Sequence, residues 1–127
     1  MKILFDTHTF LWFIQGDPTL PESTIHAIEK SENEVFFSAA SYWELCIKIS
    51  IGKLKLEGSW QQTIEHALLE NSIAWLDIKK SHMEWIVHMP MHHRDPFDRL
   101  LVSQALCEDL HFCTVDRAME EYGVRLL

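Results

Sequence analysis

Short apolar runs alternate along this chain with segments that carry helical patterns, and this alternation restricts the fold more than any other feature. The apolar runs lack a clear polar face, as is expected of strands that helices cover on both sides. We expect strands at residues 3–5, 35–38, 73–78, 112–115 and 124–127. Helices are predicted over residues 9–15, 21–32, 41–51, 60–70, 81–89, 97–110 and 117–122. The order predicts a three-layer α/β/α domain around a short-stranded, mainly parallel sheet.

The composition fits one globular domain over residues 1–127. Hydrophobic residues make up 47% of the chain, with 5 Trp and 7 Phe, which excludes intrinsic disorder. No apolar run approaches the roughly 18 residues that span a bilayer, and Asp6 interrupts any secretory leader, so we expect a cytoplasmic protein without a membrane segment. Three cysteines without C-x-x-C spacing indicate buried free thiols instead of disulfides or a zinc site.

The net charge is −8, from 11 Lys and Arg against 19 Asp and Glu. Domains that bind nucleic acid by general electrostatic attraction are usually basic, so that mode of binding is not expected here. A phosphate-handling enzyme remains compatible with this charge, because bound divalent cations can reverse the sign of a local site. The positions of the acids therefore matter more than their number.

Four acids lie at predicted strand-to-helix junctions. Asp6 and Asp116 directly follow apolar strands, and Glu44 and Asp98 lie in the first turns of predicted helices. In a parallel sheet all such junctions fall on one edge, where ligands bind outside the carboxyl ends of the strands. We call Asp6, Glu44, Asp98 and Asp116 the acidic quartet.

Helix capping explains each of these acids singly. Ser41-x-x-Glu44 fits a capping box, Asp95 followed by Pro96 fits an N-cap, and Asp6 or Asp116 can cap the helix after it. Each cap is worth about 1 kcal/mol. Two carboxylates ~4 Å apart, however, repel by ~4 kcal/mol at an effective dielectric constant of 20. Four converging carboxylates therefore require protonation, basic partners or a bound cation, and all-oxygen ligands suit Mg²⁺ or Mn²⁺.

With these motifs the chain resembles the PIN-domain nucleases, and most closely the VapC-type toxins of bacterial toxin–antitoxin pairs. The resemblance covers the whole chain and rests on Asp6, on residues 38–44 (SAASYWE), on residues 95–105 (DPFDRLLVSQA) and on residues 114–116 (TVD). It implies that the acidic quartet holds Mg²⁺ or Mn²⁺ and hydrolyses RNA to leave a 5′-phosphate. It also implies that Thr114 supports the site through its hydroxyl, while Asp95 either contacts metal or caps its helix.

The resemblance further implies two protein partners. A VapC-like toxin is held inactive by a cognate antitoxin whose tail occupies the acidic edge, and an arginine of that tail would pair with the carboxylates. Homodimers are common in the family. The apolar first helix, residues 10–14, fits either part of a dimer interface or the core.

Several basic residues are candidates for contacts with RNA. Lys48, Lys53 and Lys55 form a basic stretch, and Arg94 and Arg99 flank the acidic motif. A solvated helix face and charge balance are the alternative explanations. His8, two residues after Asp6, is a candidate for a supporting or substrate role. His92 and His93 are interpreted as a polar loop, because adjacent histidines do not have the spacing of helical metal ligands.

Two non-catalytic functions remain as alternatives. A receiver-like phosphoacceptor domain has the same alternation of strands and helices, but Asp6 is followed by Thr7 and His8 instead of a second acid. A degenerate PIN domain would act only as a binding module and would lack some of the acids, whereas all four are present. A phosphatase of the haloacid dehalogenase type needs Asp-x-Asp at the first strand, a pattern that residues 6–8 do not match.

Overall fold

A computed structural model describes all residues, 1–127, and shows one sheet of four parallel strands. The strands are β1 (Lys2–Phe5), β2 (Glu34–Ser38), β3 (Ile73–Leu76) and β4 (His111–Cys113), in the order β3-β2-β1-β4. Leu4 lies at the centre of the sheet, level with Phe36 of β2 and Phe112 of β4. The parallel pairing brings the carboxyl ends of all four strands to one edge, as the sequence predicts.

Six α-helices and one 3-10 helix connect and cover the strands. They are α1 (Thr7–Gln15), α2 (Glu22–Glu29), α3 (Ala39–Ser50), α4 (Trp60–Glu70), α5 (Lys80–Ile86), α6 (Pro96–Cys107) and a 3-10 helix at Arg117–Tyr122. None of these helices combines the length and the apolar character that crossing a bilayer requires.

Alternate side chains of the strands belong to two separate cores. Ile3 and Phe5 pack with apolar residues of α1, α2, α3 and α4, whereas Leu4, between them, packs with α6 and the 3-10 helix. This alternation follows from the two-residue period of a strand. The predicted three-layer α/β/α architecture is confirmed. The first helix contributes mainly to the core, since Phe10 and Leu11 are buried.

Two details differ from the sequence predictions. The predicted strand at residues 124–127 is wrong: only a single bridge, between Phe112 and Leu126, joins this segment to β4. Two backbone hydrogen bonds form this bridge, from the Phe112 N–H to the Arg125 carbonyl (2.7 Å) and from the Leu127 N–H to the Phe112 carbonyl (3.0 Å). Gly123, with a left-handed backbone (φ 80°), ends the 3-10 helix just before this segment. The three thiols are free, as predicted, but only that of Cys113 is buried.

Candidate metal centre at the acidic edge

Asp6 is fixed at the end of β1, where it caps α1. Its Oδ1 accepts a hydrogen bond from the Thr9 backbone N–H at 2.7 Å, and the Thr9 hydroxyl lies 2.5 Å from the same oxygen. That hydroxyl is also 2.7 Å from the Cys113 carbonyl, so it links Asp6 to the end of β4. All hydrogen bonds of the Asp6 carboxylate are made by Oδ1. The capping interpretation is confirmed, and it leaves Oδ2 available for another ligand.

Glu44 lies in the second turn of α3 and is buried. The capping box predicted for Ser41 and Glu44 is wrong, because Ser38 is the N-cap and accepts from the Ala40 N–H at 3.0 Å. The helix thus begins three residues earlier than that motif implies. The Glu44 carboxylate instead pairs with Lys48, with 3.1 Å between Oε2 and Nζ. The burial of Glu44 is therefore offset by an ion pair on its own helix.

Asp98 lies in the first turn of α6. Asp95 is the N-cap and accepts from the N–H groups of Phe97 (2.8 Å) and Asp98 (3.3 Å), which confirms it as a capping residue. The pKa of Asp98 rises from 3.8 to about 7, first because of burial and then because of the negative charges of Asp95 and Asp6, with a further contribution from Glu44. Asp98 is therefore the carboxylate at which the negative charges of the site converge.

Asp116 and Thr114 follow β4. The Thr114 hydroxyl is buried and accepts from the Asp116 N–H at 3.1 Å, while Asp116 Oδ1 accepts from the Ala118 N–H at 3.1 Å and caps the 3-10 helix. Thr114 thus holds the backbone that carries Asp116, and Asp116 Oδ2 takes no part in the cap. The side chain of Asp116 is the most exposed of the quartet, at 45%.

His93 lies between two members of the quartet, which the sequence interpretation of a polar loop missed. Its Nδ1 is 3.7 Å from Asp98 Oδ2, and its Nε2 is 3.6 Å from Asp116 Oδ2. The imidazole lowers the pKa of Asp98, against the larger effects of burial and the neighbouring acids. The backbone N–H of His93 donates to the Tyr122 hydroxyl at 2.7 Å, which anchors this segment. No spacing signal in the sequence marks the residue, because its contacts depend on how residues 90–95 fold over the edge of the sheet.

The chemistry of these donors fits a hard divalent cation. They are carboxylate oxygens, and a cation would relieve the repulsion that raises the pKa of Asp98. No group of three His, Cys, Asp or Glu side chains, however, is arranged here to hold a metal ion. Binding of a cation by three or more members of the quartet therefore requires their side chains to rotate. The oxygens Asp6 Oδ2 and Asp116 Oδ2 take no part in helix capping and can turn towards a cation.

The predicted RNA-contacting residues lie in different environments. Lys48 is the one of them that pairs with the quartet, through Glu44. Arg99 turns back along the chain and donates from Nη2 to the Met89 carbonyl at 3.3 Å, with its Nε buried and unpartnered. Arg94 is exposed, and so is His8, whose ring lies 6.3 Å from that of Trp12. Lys53 and Lys55 are exposed as well, and neither they nor Arg94 form an ion pair.

Comparison with known families identifies the domain. The family profile described as the PIN domain matches residues 3–124. The chain belongs to the PIN-domain family. PIN domains are generally nucleases.

Solved structures share the fold of this PIN domain. They include VapBC2 from Rickettsia felis bound to a DNA fragment from its promoter, with a TM-score of 0.77, 16% identity and coverage of 100% of this chain and 98% of that one. VapBC-1 from nontypeable Haemophilus influenzae has a TM-score of 0.67 and 15% identity, over 100% of this chain and 97% of that one. FitAcB from Neisseria gonorrhoeae has a TM-score of 0.60 and 18% identity, over 98% of this chain and 96% of that one. No curated protein sequence matches the chain.

Proposed function

We propose that this PIN domain is a metal-dependent endoribonuclease and the toxin of a toxin–antitoxin pair. The observation that carries the proposal is the convergence of acids from separate elements: Asp98 and Asp116 lie 3.7 and 3.6 Å from the two nitrogens of His93. Burial and the charges of Asp95, Asp6 and Glu44 raise the pKa of Asp98 to about 7, which agrees with this convergence. Capping alone gives no reason to bring these charges together. A site that binds Mg²⁺ or Mn²⁺ gives such a reason, and the membership of the PIN family supports it.

In this proposal Asp6, Glu44, Asp98 and Asp116 hold Mg²⁺ or Mn²⁺. The bound cation would supply Lewis acidity to the scissile phosphate and lower the pKa of an attacking water. The chain's own groups orient this site: Thr9 fixes Asp6 Oδ1, and Thr114 fixes the backbone of Asp116. With its pKa raised to about 7, Asp98 is only partly ionised at neutral pH, and a bound cation would favour the ionised form.

An acidic edge on a chain of net charge −8 needs local cations to receive a polyanion. The exposed Arg94 is the nearest candidate in sequence to the acidic motif, whereas Lys48 is occupied by Glu44. We propose RNA as the substrate from the resemblance to VapC-type toxins. An RNA substrate and free thiols are consistent with the cytoplasm.

We also propose an antitoxin as partner. The structures that share this fold are named as VapBC and FitA–FitB assemblies, and a partner carrying arginine would pair with the exposed carboxylates of the quartet. Trp43 and Ile47 of α3 and Ile51, its C-cap residue, lie at intervals of four residues and are exposed, at 56%, 37% and 59%. This apolar face beside Glu44 fits burial against another protein chain, either the antitoxin or a second copy in a homodimer.

The experiment incubates purified protein, freed of any antitoxin, with end-labelled single-stranded RNA in Mn²⁺, in Mg²⁺ and in EDTA. Asp6→Asn is the test variant. Asp17→Asn is the matched control, because Asp17 also caps a local turn but lies beyond the opposite end of α1. We expect metal-dependent cleavage by the wild type and by Asp17→Asn, and none by Asp6→Asn. Equal cleavage by Asp6→Asn, or cleavage that persists in EDTA, would contradict the proposal.

A non-catalytic binding module is the second candidate. Two observations favour it: His93 lies between Asp98 and Asp116, and no three donors are arranged to hold an ion. In that case basic partners, and not cations, would neutralise the quartet. A measurement of Mn²⁺ binding in the absence of RNA distinguishes the two candidate functions. The nuclease requires such binding, and the binding module does not.

A further inference from the structure

We propose that the buried hydrogen bond between Ser38 and Gln104 positions Glu44 relative to Asp98. The Ser38 hydroxyl donates to Gln104 Oε1 across a distance of 2.5 Å, and both residues are fully buried. Ser38 is the N-cap of α3, which carries Glu44, and Gln104 lies on α6, which carries Asp98. The inference rests on the proposed function, since it concerns the separation of two members of the quartet.

Ser38 holds the start of α3 in two directions. The Ser38 hydroxyl oxygen accepts from the Ala40 N–H at 3.0 Å, which fixes the first turn of the helix. The same hydroxyl donates its hydrogen to Gln104 Oε1 on α6. Gln104 is equally constrained, because its Nε2 donates to the Asp77 carbonyl at 3.2 Å beyond β3. The amide thus has one orientation in which both of its ends are satisfied. The pair thus ties the start of α3 to α6 and, through Asp77, to the segment after β3.

A second hydroxyl contact, one turn further along, holds the same side of α3. Ser38, Ser41 and Glu44 follow one another at intervals of three residues and so lie along one side of the helix. The Ser41 hydroxyl accepts from the Thr7 hydroxyl at 3.0 Å, and Thr7 directly follows Asp6. The helix that carries Glu44 is thereby joined to the start of α1 through Ser41 and to α6 through Ser38. The two contacts together connect the elements that carry Asp6, Glu44 and Asp98.

Packing alone does not require this polar pair. Ala40 of α3 and Leu100, Leu101 and Val102 of α6 already belong to one apolar core, so the two helices would pack without it. A buried polar pair adds specificity, because both partners must find each other or remain unsatisfied. Ser38 and Gln104 are therefore positioning residues, acting through the helices that carry the acids and without contact with substrate.

The test compares Gln104→Met with Ser103→Ala. Methionine is similar to glutamine in size but can neither accept from Ser38 nor donate to the Asp77 carbonyl, and Ser38→Ala, described below, removes the first of these hydrogen bonds alone. Ser103 is a matched control, since it is also fully buried on α6 but donates to the His82 carbonyl of α5. Electron paramagnetic resonance of Mn²⁺ measures cation affinity. A second readout, independent of metal, is the set of nuclear Overhauser effects between the rings of Trp43 on α3 and Phe97 on α6, whose centroids lie 5.1 Å apart.

We expect Gln104→Met to weaken Mn²⁺ binding by about tenfold and to alter the contact between the two rings, as for residues that orient metal ligands. Ser103→Ala should change the affinity less than twofold and keep the ring contact. Wild-type affinity and an unchanged ring contact in Gln104→Met would overturn the inference, and so would equal losses in both variants.

Two further arms keep the result interpretable. If Gln104→Met does not fold, Ser38→Ala removes the same hydrogen bond from α3 and is measured in its place. If the wild type binds no Mn²⁺, the proposed function fails. The Trp43–Phe97 contact then decides the inference alone: its alteration in Gln104→Met supports the role in helix spacing, and its retention overturns it.

Discussion

The two ends of α6 carry carboxylates with opposite behaviour. Asp98 lies in the first turn and has a pKa raised to about 7, whereas Glu108 is the C-cap residue and has a pKa below its ordinary value. The helix dipole predicts the reverse, because it favours negative charge at the N-terminus and disfavours it at the C-terminus. Burial and acidic neighbours at one end, and hydrogen-bonding neighbours at the other, therefore outweigh the dipole.

At the C-terminal end the neighbours are basic. Glu108 Oε1 accepts from His82 Nε2 at 2.9 Å and from Lys79 Nζ at 3.1 Å, and these hydrogen bonds lower the pKa of Glu108. His82 is fully buried and accepts the Lys79 N–H at Nδ1, so its Nε2 carries the hydrogen that it gives to Glu108. Each charge and each buried polar atom of this group has a partner.

At the N-terminal end the neighbours are acidic. Burial, Asp95 and Asp6 raise the pKa of Asp98, and His93 only partly opposes them. Ionised Asp98 thus costs stability where ionised Glu108 contributes it. At the C-terminal end, basic side chains of the same chain therefore balance the carboxylate. At the N-terminal end the negative charge is only partly balanced, which agrees with the proposed binding of a cation there.

We expect RNA cleavage to change most. Asp98→Asn should reduce metal-dependent RNA hydrolysis by at least about 100-fold, because it removes a carboxylate from the proposed cation site. Glu108→Gln should retain activity within about twofold. Initial rates in Mn²⁺ with end-labelled RNA compare the two. Equal activity of Asp98→Asn and Glu108→Gln would remove the functional distinction between the helix ends.

The next effect is stabilisation by a cation. Mn²⁺ at about 100 times its dissociation constant should raise the free energy of unfolding of the wild type by about 2.7 kcal/mol, because it binds the folded state. Glu108→Gln should gain the same amount, and Asp98→Asn distinctly less. Urea unfolding at pH 7.5, with and without Mn²⁺, measures these changes. A gain that Asp98→Asn retains in full would place the cation elsewhere.

A smaller effect is the dependence of stability on pH. Folded Asp98 holds its proton up to about pH 7, whereas an unfolded aspartate loses it near 3.8, so the wild type loses stability as pH rises between these values. The rise in the pKa of Asp98 corresponds to a loss of about 4 kcal/mol in the free energy of unfolding, which solvent screening reduces to about 2 kcal/mol. Asp98→Asn should be more stable than the wild type by about that amount at pH 8 without metal, and equally stable below pH 4. Urea unfolding between pH 4 and pH 8 measures this difference. Equal pH dependence of the wild type and Asp98→Asn would mean that the pKa of Asp98 is not raised.

The smallest effect concerns Glu108. Glu108→Gln should lower the free energy of unfolding by about 1 kcal/mol at pH 7, because His82 and Lys79 lose a charged acceptor. The pKa of Glu108 is lowered on folding from 4.5, so its contribution is present above that pH and disappears as pH falls through the lower, folded value. The difference between variant and wild type should vanish under acid, as thermal unfolding at pH 7 and pH 2.5 would show. A difference that persists at pH 2.5 would indicate lost packing.

The sheet and the convergence of acids could be predicted because they depend on local signals. A strand of three or four apolar residues followed by an acid is visible in the sequence, and parallel topology then brings Asp6 and Asp116 to one edge. The roles of Ser38 and His93 could not be predicted in the same way. Ser38 meets Gln104 across 66 positions of sequence, and His93 reaches Asp116 only through the fold of its loop. Such contacts have no period in the sequence.

The most direct test of the account is the pKa of Asp98 itself, measured by carboxyl ¹³C NMR with and without Mg²⁺. Without metal we predict a value of about 7, and a decrease of more than one pH unit in saturating Mg²⁺, since the cation competes with the proton. Glu108 is the internal reference and should titrate at the same pH in both conditions. A titration of Asp98 that Mg²⁺ leaves unchanged would contradict the assignment of the N-terminal end of α6 to a cation site.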